Sequence, residues 1–290
     1  MLAKARGLEA DLVFLDLEDS VAPESKAAAR SLVGEALTED HATRTLGVRV
    51  NPVDTAHCHR DLAETVGRAG ARVDVVIVPK VDEPEHVAFV DHMLTGLERE
   101  RGLPVGGVGL DIQVETAAAL ADVERIAACC PRRAEALVLG PGDLASDLGM
   151  DTVSIGGPLT DYPGDGWHAI LVRLLVAARA HGLQAVDGPY ARIDDEEGLL
   201  AASRRARALG YDGKWSIHPS QIGPLNDVFG VEQEALDHAA ALVAAYDEAS
   251  AAGLGAFRVG DEMVDEATRQ MAARLVTRGR LAGMAPSLAE

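Results

Sequence analysis

Val-Gly-Leu-Asp-Ile-Gln-Val-Glu-Thr at residues 108–116 and Ala-Leu-Val-Leu-Gly-Pro-Gly-Asp at residues 136–143 share one form: a short β-type run, then a carboxylate where a helix-like stretch begins. The form recurs along most of the chain. β-type runs at Leu12–Leu17, Leu46–Val50, Val73–Val78, Val108–Val114, Ala136–Leu139, Gln184–Val186 and Lys214–Ile217 alternate with Pro23–Leu37, His57–Ala69, Pro84–Arg101, Thr116–Ala128, His168–His181 and Asp194–Leu209, whose apolar residues return every three or four positions. Pro23 and Pro84 stand where a first-turn proline is tolerated, and Gly210 follows the last stretch as a stop. Repeated β-then-α units predict a parallel sheet, because parallel neighbours need crossovers and the helices supply them. The predicted fold class is α/β, a TIM-type (β/α) barrel.

Seven units are one short of the eight that close such a barrel. Met1–Glu9 reads as helix leading into the second element of the pattern, so the expectation is a barrel that lacks its first strand, in a sequence that starts at an internal methionine. After His218 the pattern becomes helices alone, at Pro219–Val228, Glu232–Ala252 and Glu262–Gly283, with a hinge-like interruption at Gly253–Gly260. The predicted organisation is a barrel over 1–218 and a helical C-terminal extension or lid over 219–290.

Composition narrows the function. With 27 Lys and Arg against 46 Asp and Glu the chain carries a formal charge of −19, which argues against a nucleic-acid or anionic-membrane partner. Hydrophobic residues at 48% and charged residues at 25% describe a folding chain rather than a disordered one. Three cysteines, Cys58 and the adjacent Cys129 and Cys130, make neither a disulfide framework nor a zinc spacing, so the predicted location is the reducing cytoplasm. The opening residues lack the apolar block of a signal peptide, and no run reaches the roughly 18 apolar residues needed to span a bilayer. There is no G-x-S-x-G elbow and no Walker phosphate loop.

In a parallel barrel the working residues lie where strands run out into βα loops. Those ends are polar every time: Asp16, Glu18 and Asp19; Arg49 and Asn51; Lys80; Glu115; Asp143; Asp187; Lys214 with His218. Glu115 and Asp143 end consecutive strands, about 4.8 Å apart in a parallel sheet, so their carboxylates are candidates to share one cation. Two oxygen ligands suit magnesium, which keeps its other positions for water and substrate; the competing reading is that both cap the helices that follow. Gly140-Pro141-Gly142 is a tight turn able to bring backbone N–H groups to a substrate carboxylate. Arg49 offers a planar fork to a carboxylate or an alkoxide, or else pairs with Glu18 or Asp19. Lys80 reads as a charged structural or substrate-contacting lysine rather than a Schiff-base one, and His218, before Pro219, as an oriented hydrogen-bonder rather than a base.

Taken together, Leu15-Asp16-Leu17-Glu18-Asp19-Ser20-Val21, Val48-Arg49-Val50-Asn51, Val78-Pro79-Lys80-Val81, Val114-Glu115-Thr116-Ala117 and Leu139-Gly140-Pro141-Gly142-Asp143-Leu144 resemble the citrate lyase beta-subunit / malyl-CoA lyase family of the HpcH/HpaI aldolase superfamily. Asp187-Gly188-Pro189-Tyr190, Gly213-Lys214-Trp215-Ser216-Ile217-His218-Pro219 and Met263-Val264-Asp265-Glu266-Ala267 continue the likeness, and Asp161-Tyr162-Pro163-Gly164-Asp165 leans toward the malyl-CoA/beta-methylmalyl-CoA lyase branch. The resemblance implies a Mg2+-dependent carbon–carbon lyase acting on an acyl-CoA and a small 2-oxo acid, in a homo-oligomer, trimer or hexamer. It implies that Glu115 and Asp143 bind Mg2+, that Arg49 contacts the oxo-acid oxygen, with Glu18, Asp19 and the Gly140, Pro141, Gly142 turn around the substrate, and that Asp265 is an acid/base delivered from a neighbouring subunit. The expected reaction is reversible cleavage of malyl-CoA or beta-methylmalyl-CoA to glyoxylate and acetyl-CoA or propionyl-CoA. The alternatives are a citramalyl-CoA lyase giving pyruvate, a malyl-CoA thioesterase, or a noncatalytic, partner-dependent citrate lyase beta-like subunit. Family members usually open on a strand of the Arg-Ser-x-Leu-Phe-Val-Pro-Gly type, which does not occur before Leu12.

Overall fold

The computed structural model describes residues 5–41, 45–159, 162–260 and 262–287. Seven strands, β1 (Leu12–Asp16), β2 (Thr45–Arg49), β3 (Val75–Val78), β4 (Gly109–Val114), β5 (Ala134–Leu139), β6 (Gln184–Asp187) and β7 (Gly213–Lys214), lie in sequence order in one sheet. Every neighbouring pair is parallel. The crossovers are helical: α1 (Lys26–Ala36), α2 (58–69), α3 (Pro84–Arg101), α4 (Ala117–Ala121) with α5 (Val123–Ala128), α6 (Pro141–Asp147) with α7 (His168–Ala180), and α8 (Glu196–Leu209). The middle of α2, Leu62–Val66, is wound as π-helix.

Alternation along the strands explains the layers. Val13 and Leu15, Leu46 and Val48, Leu110, Ile112 and Val114 are buried on one face, while Phe14 and Asp16, Gly47 and Arg49, Asp111 and Gln113 alternate onto the other. The sheet curls so far that side chains from its two edges touch: the Phe14 ring on β1 lies 4.7 Å, centroid to centroid, from the Trp215 ring just after β7. β1 and β7 are not hydrogen-bonded to one another, so aromatic packing stands at the seam. This is a TIM-type barrel of seven strands, as the strand count anticipated.

The chain divides into two compact units, residues 1–228 and 229–290. α9 (Ile222–Phe229) closes the first. The second has α10 (Gln233–Ala251), a hairpin of β8 (Phe257–Val259) and β9 (Glu262–Val264), and α11 (Glu266–Leu281), with Leu236, Ala239, Ala272 and Val276 as its apolar core. The extension is therefore not helices alone. The helix expected over Glu262–Gly283 starts at Glu266, because Glu262–Val264 pairs with the β-type run Phe257–Val259 across a turn in which Gly260 adopts φ +59°. Two other expectations shift. Thr116–Ala128 breaks into two helices at Asp122, which leaves helical geometry at φ −110°, ψ 18°, and the last barrel strand is confined to Gly213–Lys214. Of the opening stretch, Met1–Lys4 lies outside the described residues, as does Asp161, and Arg6–Glu9 is not helical.

α3 is locked to the barrel by one buried ion pair. All five N–H donors of Arg133, which precedes β5, are engaged: Nη1 and Nη2 on the two oxygens of Glu98, both at 2.8 Å, Nε on Asp91 at 2.6 Å, and the remaining two on the Val108 carbonyl and Thr95. Glu98 also accepts the N–H groups of Gly106 and Val108, both at 2.9 Å. Burial alone would raise its pKa, but Arg133 and the two N–H bonds outweigh burial and hold it at about 2. A carboxylate whose folded pKa lies below its ordinary 4.5 stabilises the fold above that value and loses the contribution as pH falls toward 2. Glu98→Gln is therefore expected to lower unfolding free energy at neutral pH by about 3–5 kcal/mol, and to flatten the loss of stability on acidification below pH 4.5, both read from urea melts across pH.

Candidate active site

The parallel register sets Asp16 beside Arg49 at the ends of β1 and β2. Their contact is two-pronged, Nε to Oδ1 and Nη2 to Oδ2, both 2.7 Å. The same carboxylate accepts the N–H of Glu18 at 2.9 Å and of Ser20 at 3.2 Å, folding the loop back over the strand end. Burial acts to raise the Asp16 pKa, but the bonds and charge of Arg49 prevail and the net shift is down. Arg49 Nη1 faces Glu18 Oε2 at 3.1 Å, and the guanidinium sits 5.7 Å from the centroid of the Trp215 ring.

Glu18 is buried, and its other oxygen takes the Lys80 ammonium at 2.6 Å. Burial raises its pKa more than Lys80 and Arg49 lower it. Lys80 follows β3 in the left-handed region, φ +49°. Its N–H donates to Glu115 Oε1 at 2.7 Å, and its ammonium also faces Asp19 at 3.6 Å and Asp143 at 3.7 Å. For Lys80 burial works downward, but the bond to Glu18 and the surrounding carboxylates more than reverse it.

Glu115, just beyond β4, is 1% exposed. Its pKa is pushed up to about 8, chiefly by burial, with the charges of Asp143 and Glu18 adding and the Lys80 N–H opposing. Its second oxygen takes the side-chain amide of Gln113, one step back on the same strand face. Glu115 does not cap the helix after it; Thr116 does, accepting the Ala119 N–H at 3.0 Å. Asp143 stands in the first turn of α6, which Gly140 and Pro141 open. Gly140 is required for space rather than for φ: a Cβ there would run into the Cβ and Oε2 of Glu115.

The structure thus gathers Glu18, Asp19, Arg49, Glu115, Gly140 and Asp143 around Lys80 at one end of the barrel strands, with Pro141 and Gly142 in the α6 turn beside them. Asp265 belongs to the other unit. There it caps α11, its Oδ1 accepting the Thr268 N–H at 3.0 Å, and that bond leads the effects that lower its pKa. His218 is exposed and turns its Nδ1 to Ser220. Two residues at the site escaped the sequence reading as participants, Gln113, legible from the two-residue period of β4, and Trp215, legible only through the curl of the sheet. Asp16 was read as a polar strand end but not as the partner of Arg49.

Carboxylates, a guanidinium and an ammonium clustered at the C-terminal ends of parallel strands define a barrel enzyme. The chain belongs to the HpcH/HpaI aldolase/citrate lyase family, whose model matches residues 1–219. It is 38% identical to the L-malyl-CoA/beta-methylmalyl-CoA lyase of Cereibacter sphaeroides, over 97% of this chain and 91% of that one. It is 36% identical to the (3S)-malyl-CoA thioesterase of the same species, over 91% and 85%. The Mycobacterium tuberculosis protein CitE, crystallised with magnesium, acetoacetate and coenzyme A, matches it with a TM-score of 0.70 at 29% identity, over 93% and 90% of the two chains.

Among the described residues no three His, Cys, Asp or Glu side chains form a ready-made metal cage. The donors that suit a divalent cation are Glu115 and Asp143, a two-carboxylate set of the kind magnesium takes while keeping water and substrate oxygens. The raised pKa of Glu115 fits: a buried carboxyl among charges of its own sign is one that a cation would return to its ionised form. Gly140→Ala, by displacing that carboxyl, is expected to weaken Mn2+ binding about 10–100-fold, as loss of support around a ligand does, with an unchanged circular dichroism spectrum; titration calorimetry reads the first.

Proposed function

We propose that this chain is a Mg2+-dependent carbon–carbon lyase that reversibly cleaves malyl-CoA or beta-methylmalyl-CoA into glyoxylate and acetyl-CoA or propionyl-CoA. The observation that carries the reading is the convergence of Glu115, Asp143, Arg49 and Glu18 around Lys80, in a chain so similar to a lyase of that name. Magnesium, held by Glu115 and Asp143, would supply Lewis acidity at the oxo-acid oxygens.

In cleavage the substrate hydroxyl gives up its proton to water, and Arg49 stabilises the alkoxide charge that is then passed to the thioester enolate as the C–C bond breaks; in condensation it stabilises the same charge as it grows on the oxo-acid oxygen. Asp16 grips its Nε/Nη2 edge, so the guanidinium is already oriented before substrate arrives. Backbone N–H groups at the start of α6, past Gly140 and Pro141, receive the oxo-acid carboxylate, with Gly142 keeping the turn thin. Glu18 and Asp19 fix the cations around it. In the condensation direction Asp265 removes the proton beside the thioester, and in cleavage it returns a proton to the enolate carbon. Asp265 comes from a neighbouring subunit of a homo-oligomer, carried by the smaller unit.

Purified protein with Mg2+, glyoxylate and propionyl-CoA is expected to form beta-methylmalyl-CoA, and either Glu115→Ala or excess chelator is expected to abolish turnover. Preference for pyruvate in a side-by-side assay would replace the reading with citramalyl-CoA cleavage; CoA release from malyl-CoA without glyoxylate would replace it with thioester hydrolysis, the activity in the second relative's name. Asp265→Asn and Arg49→Ala subunits, each inactive alone, are expected to recover activity when mixed and allowed to exchange. No recovery after demonstrated exchange would return Asp265 to its own subunit's site or to helix capping alone.

A further inference from the structure

Lys80 touches both candidate metal carboxylates, with different parts of itself. Its backbone N–H holds Glu115 Oε1 at 2.7 Å, while its ammonium lies 3.7 Å from Asp143 Oδ2. The same ammonium is 2.6 Å from Glu18 and 3.6 Å from Asp19. Four carboxylates therefore surround one residue, and Arg49, the other cation of the cluster, has its Nε/Nη2 edge committed to Asp16. An ordinary surface ion pair asks nothing of the backbone, whereas Lys80 reaches these partners from a left-handed conformation at φ +49°, which a lysine keeps only where its surroundings over-determine it.

We propose that Lys80 is the resident counter-cation of this site, its ammonium competing with the divalent cation for Asp143 while its backbone N–H keeps Glu115 in place whichever cation is present. The inference rests on the reading that Glu115 and Asp143 hold the metal. Its contacts differ in tightness in the way such a role requires. The ammonium is anchored on Glu18, away from the metal pair, and only leans toward Asp143, so it can yield that carboxylate without leaving the cluster. A fixed positive charge beside the metal lowers affinity for the bare ion. An incoming oxo-acid carboxylate offsets that charge, so the cation is held more firmly once substrate is present. Lys80 is on this account a positioning residue, and its effect is on the metal equilibrium rather than on a bond of the substrate.

The test is Mn2+ binding to the full chain without substrate, by electron paramagnetic resonance or calorimetry. Lys80→Met removes the ammonium. Lys80→Gly removes it while relieving the left-handed strain and keeping the N–H, so a folding defect cannot decide the result. Both are expected to bind Mn2+ at least about tenfold tighter than wild type, the order expected for removing a unit charge at this range in a solvent-open site, and to show less added gain in affinity from glyoxylate. Glu115→Gln separates the two readings. If it binds Mn2+ as wild type does, the metal is elsewhere and both readings fall. If it weakens binding but the Lys80 variants bind no tighter, only the counter-cation inference is overturned.

Discussion

A carboxyl group withdrawn from water and set among charges of its own sign is costly to keep ionised, and the chain around Glu115 is arranged to hold it. Desolvation and the fields of Asp143 and Glu18 favour its neutral form. Against them stand two donors, the Lys80 N–H and the Gln113 amide, and a neighbour, Gly140, that leaves room where any side chain would collide. Even the helix that follows is capped by Thr116, so that Glu115 is spared the task. Packing, backbone conformation and hydrogen bonding from β3, β4 and β5 all point at one oxygen pair.

The loops around it are stiffened by a second, fully buried polar network. Asp61 on α2 accepts Arg30 Nε at 2.7 Å, the Asn51 N–H at 2.9 Å and the Asn51 side-chain amide at 2.6 Å, and Asn51 in turn holds the Leu17 carbonyl at 3.0 Å. Lys26 donates to the carbonyls of Leu17 and Glu18. The segment that carries Glu18 and Asp19 is thereby pinned to α1, α2 and the end of β2. A buried network with its carboxylate satisfied rigidifies what it touches, and here it touches the edge of the active site.

Much of this was legible in the sequence, and the rest was not for definite reasons. Strand positions followed from β-type runs between helical stretches, and Glu115 and Asp143 as neighbours followed from their placement at consecutive strand ends, because a parallel sheet in sequence order leaves little choice. Residues 257–264 misled, since Gly-rich sequence with short β-type runs on either side of a turn looks the same whether it stays a linker or pairs into a hairpin; only pairing partners decide. The sequence offered Glu18 or Asp19 as the ion-pair partner of Arg49 and passed over Asp16, because the choice depends on register, which fixes Asp16 opposite Arg49. Lys80 was visible as a charged lysine, but its left-handed backbone was not, since nothing in Val78-Pro79-Lys80-Val81 demands it; the demand comes from Glu115 across the sheet.

The pairing of both site cations with carboxylates also has a consequence for encounter kinetics. The substrates proposed above, a CoA thioester and an oxo acid, are anions, and the molecule they would approach carries a net charge of −19, with Arg49 and Lys80 already neutralised by their neighbours. Long-range forces therefore oppose the encounter, and attraction begins only within the last few ångströms. Mobile counter-ions shorten the reach of that repulsion, to about 8 Å at physiological ionic strength. Association with this barrel should accordingly speed up, not slow down, as salt is added, the reverse of what electrostatic steering gives an enzyme whose charge is opposite to that of its substrate.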